Sequence, residues 1–126
     1  TGHLVLGTLH TTSAAKTRDR IIDVFPSAEK SVVRSMLAES LQAVVSQILL
    51  KRNGGGRVAA HEIMRGTAAI RNLIREDKVA QMYSAIQSGQ AHGMQTMDWA
   101  LQHLVEKKIV SLGVAREKAR QPDLIV

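Results

Sequence analysis

The chain has no cysteine, three aromatic residues and two prolines, and no apolar run approaches the roughly 20 residues of a spanning helix. Without cysteine there is no disulfide framework, zinc ribbon or thiol catalyst. With Phe25, Tyr83 and Trp99 as the only aromatics, a stacking platform for single-stranded nucleic acid is poorly supported. The basic excess, +6 formally, is spread along the chain with no block of one sign, so it favours an acidic partner only weakly. No signal-peptide pattern is visible, and a soluble intracellular protein is expected.

What is present is an aliphatic core. Apolar residues make up 44 % of 126 positions, enough for one domain, with five methionines to fill gaps. The chain opens on Thr1 and runs directly into "LVLGTL" (Leu4–Leu9), apolar on both faces, the pattern of a strand covered on both sides. Such a start is expected of a chain that begins inside a domain. Gly7 is expected to let another backbone approach.

After His10, "TTS" supplies good N-caps, and a short helix is expected before Pro26. "PSAEKSVVRSMLAESLQAVVSQILLKR" predicts a long helix capped by Ser27, with Val33, Leu37, Leu41, Val44 and Ile48 on one stripe, although "SQILLKR" also suits a strand. "NGGG" and "RVAAHEIM" predict a β-hairpin around Asn53 to Gly56. From Thr67 onward the pattern is helical. Ile70, Leu73 and Ile74 share one face; Val79, Met82, Tyr83 and Ile86 form a second helix with Gly89 as its C-cap. Thr96 caps a third helix carrying Met97, Leu101, Leu104 and Val105, and "AREKARQ" gives a last helical piece stopped by Pro122.

His10 stands where that strand ends and a helix begins. Ligands of open α/β sheets bind outside such carboxyl ends, and a helix start offers backbone donors to an anion. On pattern alone, a His that simply caps a strand end is the commoner role. His3 lies seven residues away, an odd strand spacing that sends the two rings to opposite faces and argues against a shared metal. His61 and Glu62 also point apart, and "HEIMR" lacks the second His of a zinc motif, so His61 reads as structural. His92 and His103 read as loop and helix-surface residues. "NGGGR" has no Lys-Ser or Lys-Thr at P-loop spacing and reads as a turn. In "AIRNLIRE", Arg71 and Arg75 suit either a solvated face or an interface at which they meet carboxylates of a neighbouring element.

Two stretches together resemble a known family. "TGHLVLGTLHTTSAAKTRDRIIDVFP" resembles the His box and following helix of secretion-type hexameric ATPases. "AIRNLIRE", with "GGGRVAAHEIM" and "IREDKVAQMYSAIQSG", is similar to the PilT-type retraction ATPases of type IV pili. The resemblance covers nearly the whole chain and weakens after about Met97. Secretion and assembly relatives usually carry a four-Cys metal insertion, and the absence of Cys agrees with the retraction branch.

The resemblance implies an α/β fold: the C-terminal part of a RecA-like P-loop ATPase domain (residues 1–66, sheet strand plus hairpin) followed by a helical C-terminal region (residues 67–126). It implies a homo-hexameric motor for pilus retraction and twitching, using ATP and Mg2+ bound by Walker A, acidic and Walker B segments upstream of Thr1. This piece alone is then expected not to hydrolyse ATP and to hold no metal. His10 would face the γ-phosphate region and report its state, with His3 in a less defined role. Ala69, Ile70, Arg71, Asn72, Leu73, Ile74, Arg75 and Glu76 would form the retraction motif. Implied partners are other copies of the chain and an inner-membrane pilus platform protein, not nucleic acid, with a cytoplasmic place at the inner membrane and no insertion. A type II secretion or pilus-assembly ATPase is the alternative within the superfamily, and a non-enzymatic basic nucleic-acid- or protein-binding domain is the alternative outside it. Arg18 and Arg65 depart from the family pattern, which leads one to expect apolar residues there. An Arg in a buried site needs a partner, so they are expected to lie exposed at a subunit boundary, or else to mark a divergent member of the family. The apolar ending "LIV" is unexpected for a solvated tail.

Overall fold

The computed structural model describes residues 2–126. The element order is α1 (Ala14–Asp23), α2 (Lys30–Ser40), β1 (Ala43–Lys51), β2 (Arg57–Arg65), α3 (Ala68–Arg75), α4 (Met82–Gln87), α5 (Met97–Glu106) and α6 (Leu112–Lys118), with short 3-10 turns between and after. This is the expected mixed α/β class. Among the described residues the sheet has two strands, β1 and β2, antiparallel from Ala43↔Arg65 to Lys51↔Arg57.

The apolar segment Leu4–Leu9 does not join that sheet. It has no regular secondary structure, and Leu4, Val5 and Leu6 are 79 %, 82 % and 88 % exposed. A strand exists only through ladder bonds to a neighbour, and among the described residues no strand pairs with Leu4–Leu9. Among the described residues nothing approaches Gly7 within 4 Å, so the close backbone expected there is not found.

Local capping chemistry places most helix starts. Ser13, Thr67, Thr96 and Ser111 each accept a backbone N–H three residues on. Ser27 makes no such bond: Pro26 leads into a 3-10 turn, Ser27–Glu29, and α2 follows. The long stripe expected through Ile48 breaks at Leu41, which adopts extended backbone. Val44 and Ile48 are four apart, a spacing that serves one face of a helix and one face of a strand equally. In the strand, Val44, Ser46, Ile48 and Leu50 turn inward, while Val45 and Leu49 are exposed. Gly66 makes the β2–α3 junction possible, since a Cβ there would lie 2.2 Å from the Leu41 carbonyl oxygen.

Gly89 is not the left-handed cap expected after α4. Ser88 closes that helix, and the left-handed position is Gly93, φ 80°. Nor does Pro122 end α6, which stops at Lys118; Pro122 opens a 3-10 turn instead. The hairpin tip, with Gly54, Gly55 and Gly56 all at positive φ, docks on the α5–α6 connection through Asn53, whose N–H reaches Ile109 O at 2.8 Å and whose Nδ2 reaches Lys108 O at 2.9 Å.

Two apolar clusters pack at opposite ends of the hairpin. One joins Ala14, Ala38, Val44, Met64, Ile70, Ile74, Met82 and Ile86. The other joins Leu50, Ala60, Met97, Leu101, Val110, Ala115 and Ile125. Within the ending "LIV", Ile125 is buried, its carbonyl takes two Arg116 hydrogen bonds, and Gln102 brackets the Val126 backbone, while the Leu124 and Val126 side chains are exposed.

Candidate functional site: the His10 loop, helix α1 and the motif helix

The loop before α1 is tied to the helix it precedes. His3 and His10 are both exposed. The His10 carbonyl accepts from Arg20 Nη1 at 2.8 Å, and the hydroxyls of Thr11 and Thr17 meet at 2.5 Å. Ser13 accepts from the Lys16 N–H at 3.2 Å, and the Ala14 N–H donates to Glu62 Oε1 at 3.0 Å. The open anion site expected at this helix start is therefore largely filled from within the chain: Ala14 and Lys16 N–H already have protein acceptors.

Glu62 is the residue that sequence reading passed over. Its inward position on β2 buries it to 5 % exposure, and its second oxygen accepts from the Met97 N–H at 3.2 Å. One carboxylate thus serves the first residue of both α1 and α5. Each bond is charge-assisted, worth about 1.5–3 kcal/mol, and the two positive helix ends offset the cost of burying the charge. His61, its sequence neighbour, faces the other way and bonds Gln47 Oε1 at 2.9 Å, the structural role expected of it. The start of α5 is fixed from a second side. Gln95 and Ile63 exchange backbone hydrogen bonds at 2.9 and 3.1 Å, and Gln95 Nε2 reaches His61 O at 2.8 Å.

Arg18 is not exposed at a boundary. It lies on α1 at 4 % exposure, with Nη2 donating to Asp77 Oδ1 at 2.5 Å and to Ile74 O at 3.2 Å, and Nη1 donating to Asp19 at 2.7 Å. Its Nε has no partner. Asp77 sits just past α3 at φ 59°, the left-handed position that follows many helix ends, and Arg34 of α2 approaches its other oxygen at 4.0 Å. Arg18 therefore grips the end of α3 from the helix that carries the His10 loop. Arg65 is exposed, as expected, and donates to His92 O at 3.2 Å.

Within α3, Ile70 and Ile74 are buried and Leu73 is half-buried, so Ala69, Asn72, Arg75 and Glu76 form the exposed side. The two motif arginines do not meet carboxylates of a neighbouring element. Arg71 Nε donates to Gly66 O at 2.7 Å, and Nη1 donates to Ala38 O at 2.7 Å and to Glu39 O. It thereby caps the last carbonyls of α2, where a helix end attracts a cation. Arg75 Nη1 donates to Asn72 Oδ1 at 2.9 Å on the exposed side.

A cleft of about 660 Å3 opens beside the His10 loop, lined by Thr12, Ser13, Lys16, Glu62, Tyr83 and Asp98 among others. Asp98 is buried and accepts from the Arg120 and Gln121 N–H groups at 2.8 and 2.9 Å, which draws the guanidinium of Arg120 over the Tyr83 ring at 3.9 Å. Burial, reinforced by Asp98, holds the Tyr83 phenol above its ordinary pKa. His92 is exposed and His103 stacks on Trp99 at 3.9 Å. Among the described residues no three acidic or His side chains group to hold a metal, and no helix is long and apolar enough to cross a membrane.

This chain is similar throughout to a set of pilus motors. The family described as Type II/IV secretion system protein matches residues 1–116. The type IV pilus retraction ATPase PilT of Pseudomonas aeruginosa is 71 % identical over 123 residues, 98 % of this chain and 36 % of that protein. A twitching motility protein of Neisseria gonorrhoeae is 60 % identical over 124 residues, 98 % of this chain and 33 % of its own length. The crystal structure of the pilus retraction motor PilT with bound ADP superposes with a TM-score of 0.86 at 45 % identity, over 98 % of this chain and 34 % of that one. The Legionella pneumophila ATPase DotB shares the fold, with a TM-score of 0.70 at 23 % identity over 86 % of this chain and 29 % of that one. The chain spans about a third of the length of the curated relatives it matches most fully. With its fold shared and 116 of its residues matched, the chain belongs to the Type II/IV secretion system protein family.

Proposed function

We propose that this chain is part of an ATP-hydrolysing, hexameric motor that powers type IV pilus retraction and twitching motility. One observation carries the reading: α1 has the His10 loop at its start and, through Arg18, holds the end of the motif helix α3. A loop that responds to the γ-phosphate then has a direct mechanical route to Ala69, Asn72, Arg75 and Glu76 on the exposed side. His10 acts as the reporter of nucleotide state, and His3 is the other histidine of the same box. The names of the relatives point to the same function.

The parent protein supplies the nucleotide cradle. This sequence contains no P-loop, and its one glycine run, Gly54–Gly56, is a hairpin tip docked on residues 108–109. His10 apart, which senses the γ-phosphate, the residues that hold ATP and Mg2+ belong to the parent, and this piece alone is expected not to turn ATP over. Residues 1–66 complete the ATPase core, where Leu4–Leu9 gain sheet neighbours, and residues 67–126 form the helical region. The working assembly is a homo-hexamer at the cytoplasmic face of the inner membrane, acting on the pilus platform protein without entering the bilayer or binding nucleic acid.

Complementation tests this function. The full-length parent expressed in a retraction-deficient host is expected to restore twitching. Restoration of pilus assembly in an assembly-deficient host, with no effect on retraction, would move the protein to the assembly branch.

A further inference from the structure

Resting on the reading of His10 as the nucleotide reporter, we infer that Glu62 is the positioning residue that sets the His10 loop, by holding the starts of α1 and α5 on one buried carboxylate. Its two oxygens accept from Ala14 N–H at 3.0 Å and Met97 N–H at 3.2 Å. These are the first helical residues after the caps Ser13 and Thr96. The caps themselves serve Lys16 and Trp99, so cap and carboxylate satisfy different donors at each start. Ala14 lies four residues past His10.

Glu62 is a fixed point. β2 is paired along its whole length with β1, and the bridge between Ile63 and Gln95 locks the strand to the entry of α5. For α1 to shift, the Ala14 bond must break inside the protein, or β2 and α5 must move with it. Either way the loop position is referred to α5, although the two helices lie far apart in sequence. The geometry requires a carboxylate, because both partners are donors. Glutamine has one amide oxygen, and its NH2 would face a second N–H.

The test uses the full-length ATPase with Glu62→Gln, His10→Ala and the double variant, measured for kcat and KM for ATP and for amide hydrogen exchange. Glu62→Gln is expected to lower kcat by roughly 10- to 100-fold, as small misplacements near a reacting centre do, with KM changed less than about twofold. Adding it to His10→Ala is expected to cause no further loss, because both act through one loop. The Ala14 and Met97 amides should lose protection while Val44 and Met64 keep theirs. If Glu62→Gln does not fold, Glu62→Asp keeps the charge but shortens the reach by one methylene, so that one carboxylate no longer spans both donors. Glu62→Asp is judged by the same kcat and cycle criteria. Wild-type kcat in the folded variant, or losses that multiply with His10→Ala, would overturn the inference while leaving the His10 reading intact. Wild-type kcat in His10→Ala alone would overturn both.

Discussion

Arg18 shows how one residue can carry both a risk and its remedy. Its charge is buried on a helix whose inward neighbours include Ala14 and Ile22, and it is tolerable because Asp77 and the Ile74 carbonyl meet it. Removing the acid should therefore hurt more than removing the base. Asp77→Ala leaves the buried guanidinium with only Asp19 and the Ile74 carbonyl, and both acids are half-exposed, so a loss of about 1–2 kcal/mol is expected rather than the ~3–5 of a fully buried pair. Arg18→Met replaces the charge with an apolar side chain of similar length and is expected to stay within about 1 kcal/mol of wild type. Urea melts of both variants decide it, and equal losses would mean that the ion pair itself, not the stranded charge, sets the energy. Of the two acids that make Arg18 tolerable, Asp19 is its neighbour in sequence, but Asp77 was not legible, since it lies 59 residues away. Glu62 was missed for the same reason: its donors are 48 and 35 residues distant.

The starts of α1, α3 and α5 were legible, whereas those of α2 and α6 and the ends of α2, α4 and α6 were not. A cap such as Thr67 or Thr96 works on a donor three residues on, so its signal is local. The end of α2 depends on the hairpin that captures Val44 and on Arg71, which binds the last α2 carbonyls from another helix. This division of labour separates the two motif arginines. Arg71→Ala is expected to destabilise the fold by about 1–2 kcal/mol, because the part-buried Gly66 and Ala38 carbonyls lose a charged donor. Arg75→Ala, on the exposed side, should leave the melting temperature nearly unchanged yet impair retraction while ATP binding persists. Loss of ATP binding in Arg75→Ala would instead place α3 at the nucleotide. The hairpin itself was readable from "NGGG", because glycine alone accommodates three successive positive φ angles.

At the scale of the molecule, α1 stands between a loop and a motif that are far apart in sequence. Its start is fixed by Glu62, its middle holds α3 through Arg18, and its polar side ties back to His10 through Arg20. The mixed α/β class was legible from periodicity and turn chemistry. The place of Leu4–Leu9 was not, because its pattern requires cover on two sides that the described residues do not supply. The most direct measurement of the central claim is ATP turnover and twitching of the full-length parent carrying His10→Ala. Both are expected to fall well below wild type while the protein still folds and binds ATP. Wild-type turnover together with wild-type twitching would contradict the assignment of His10 as the reporter that α1 connects to the retraction motif.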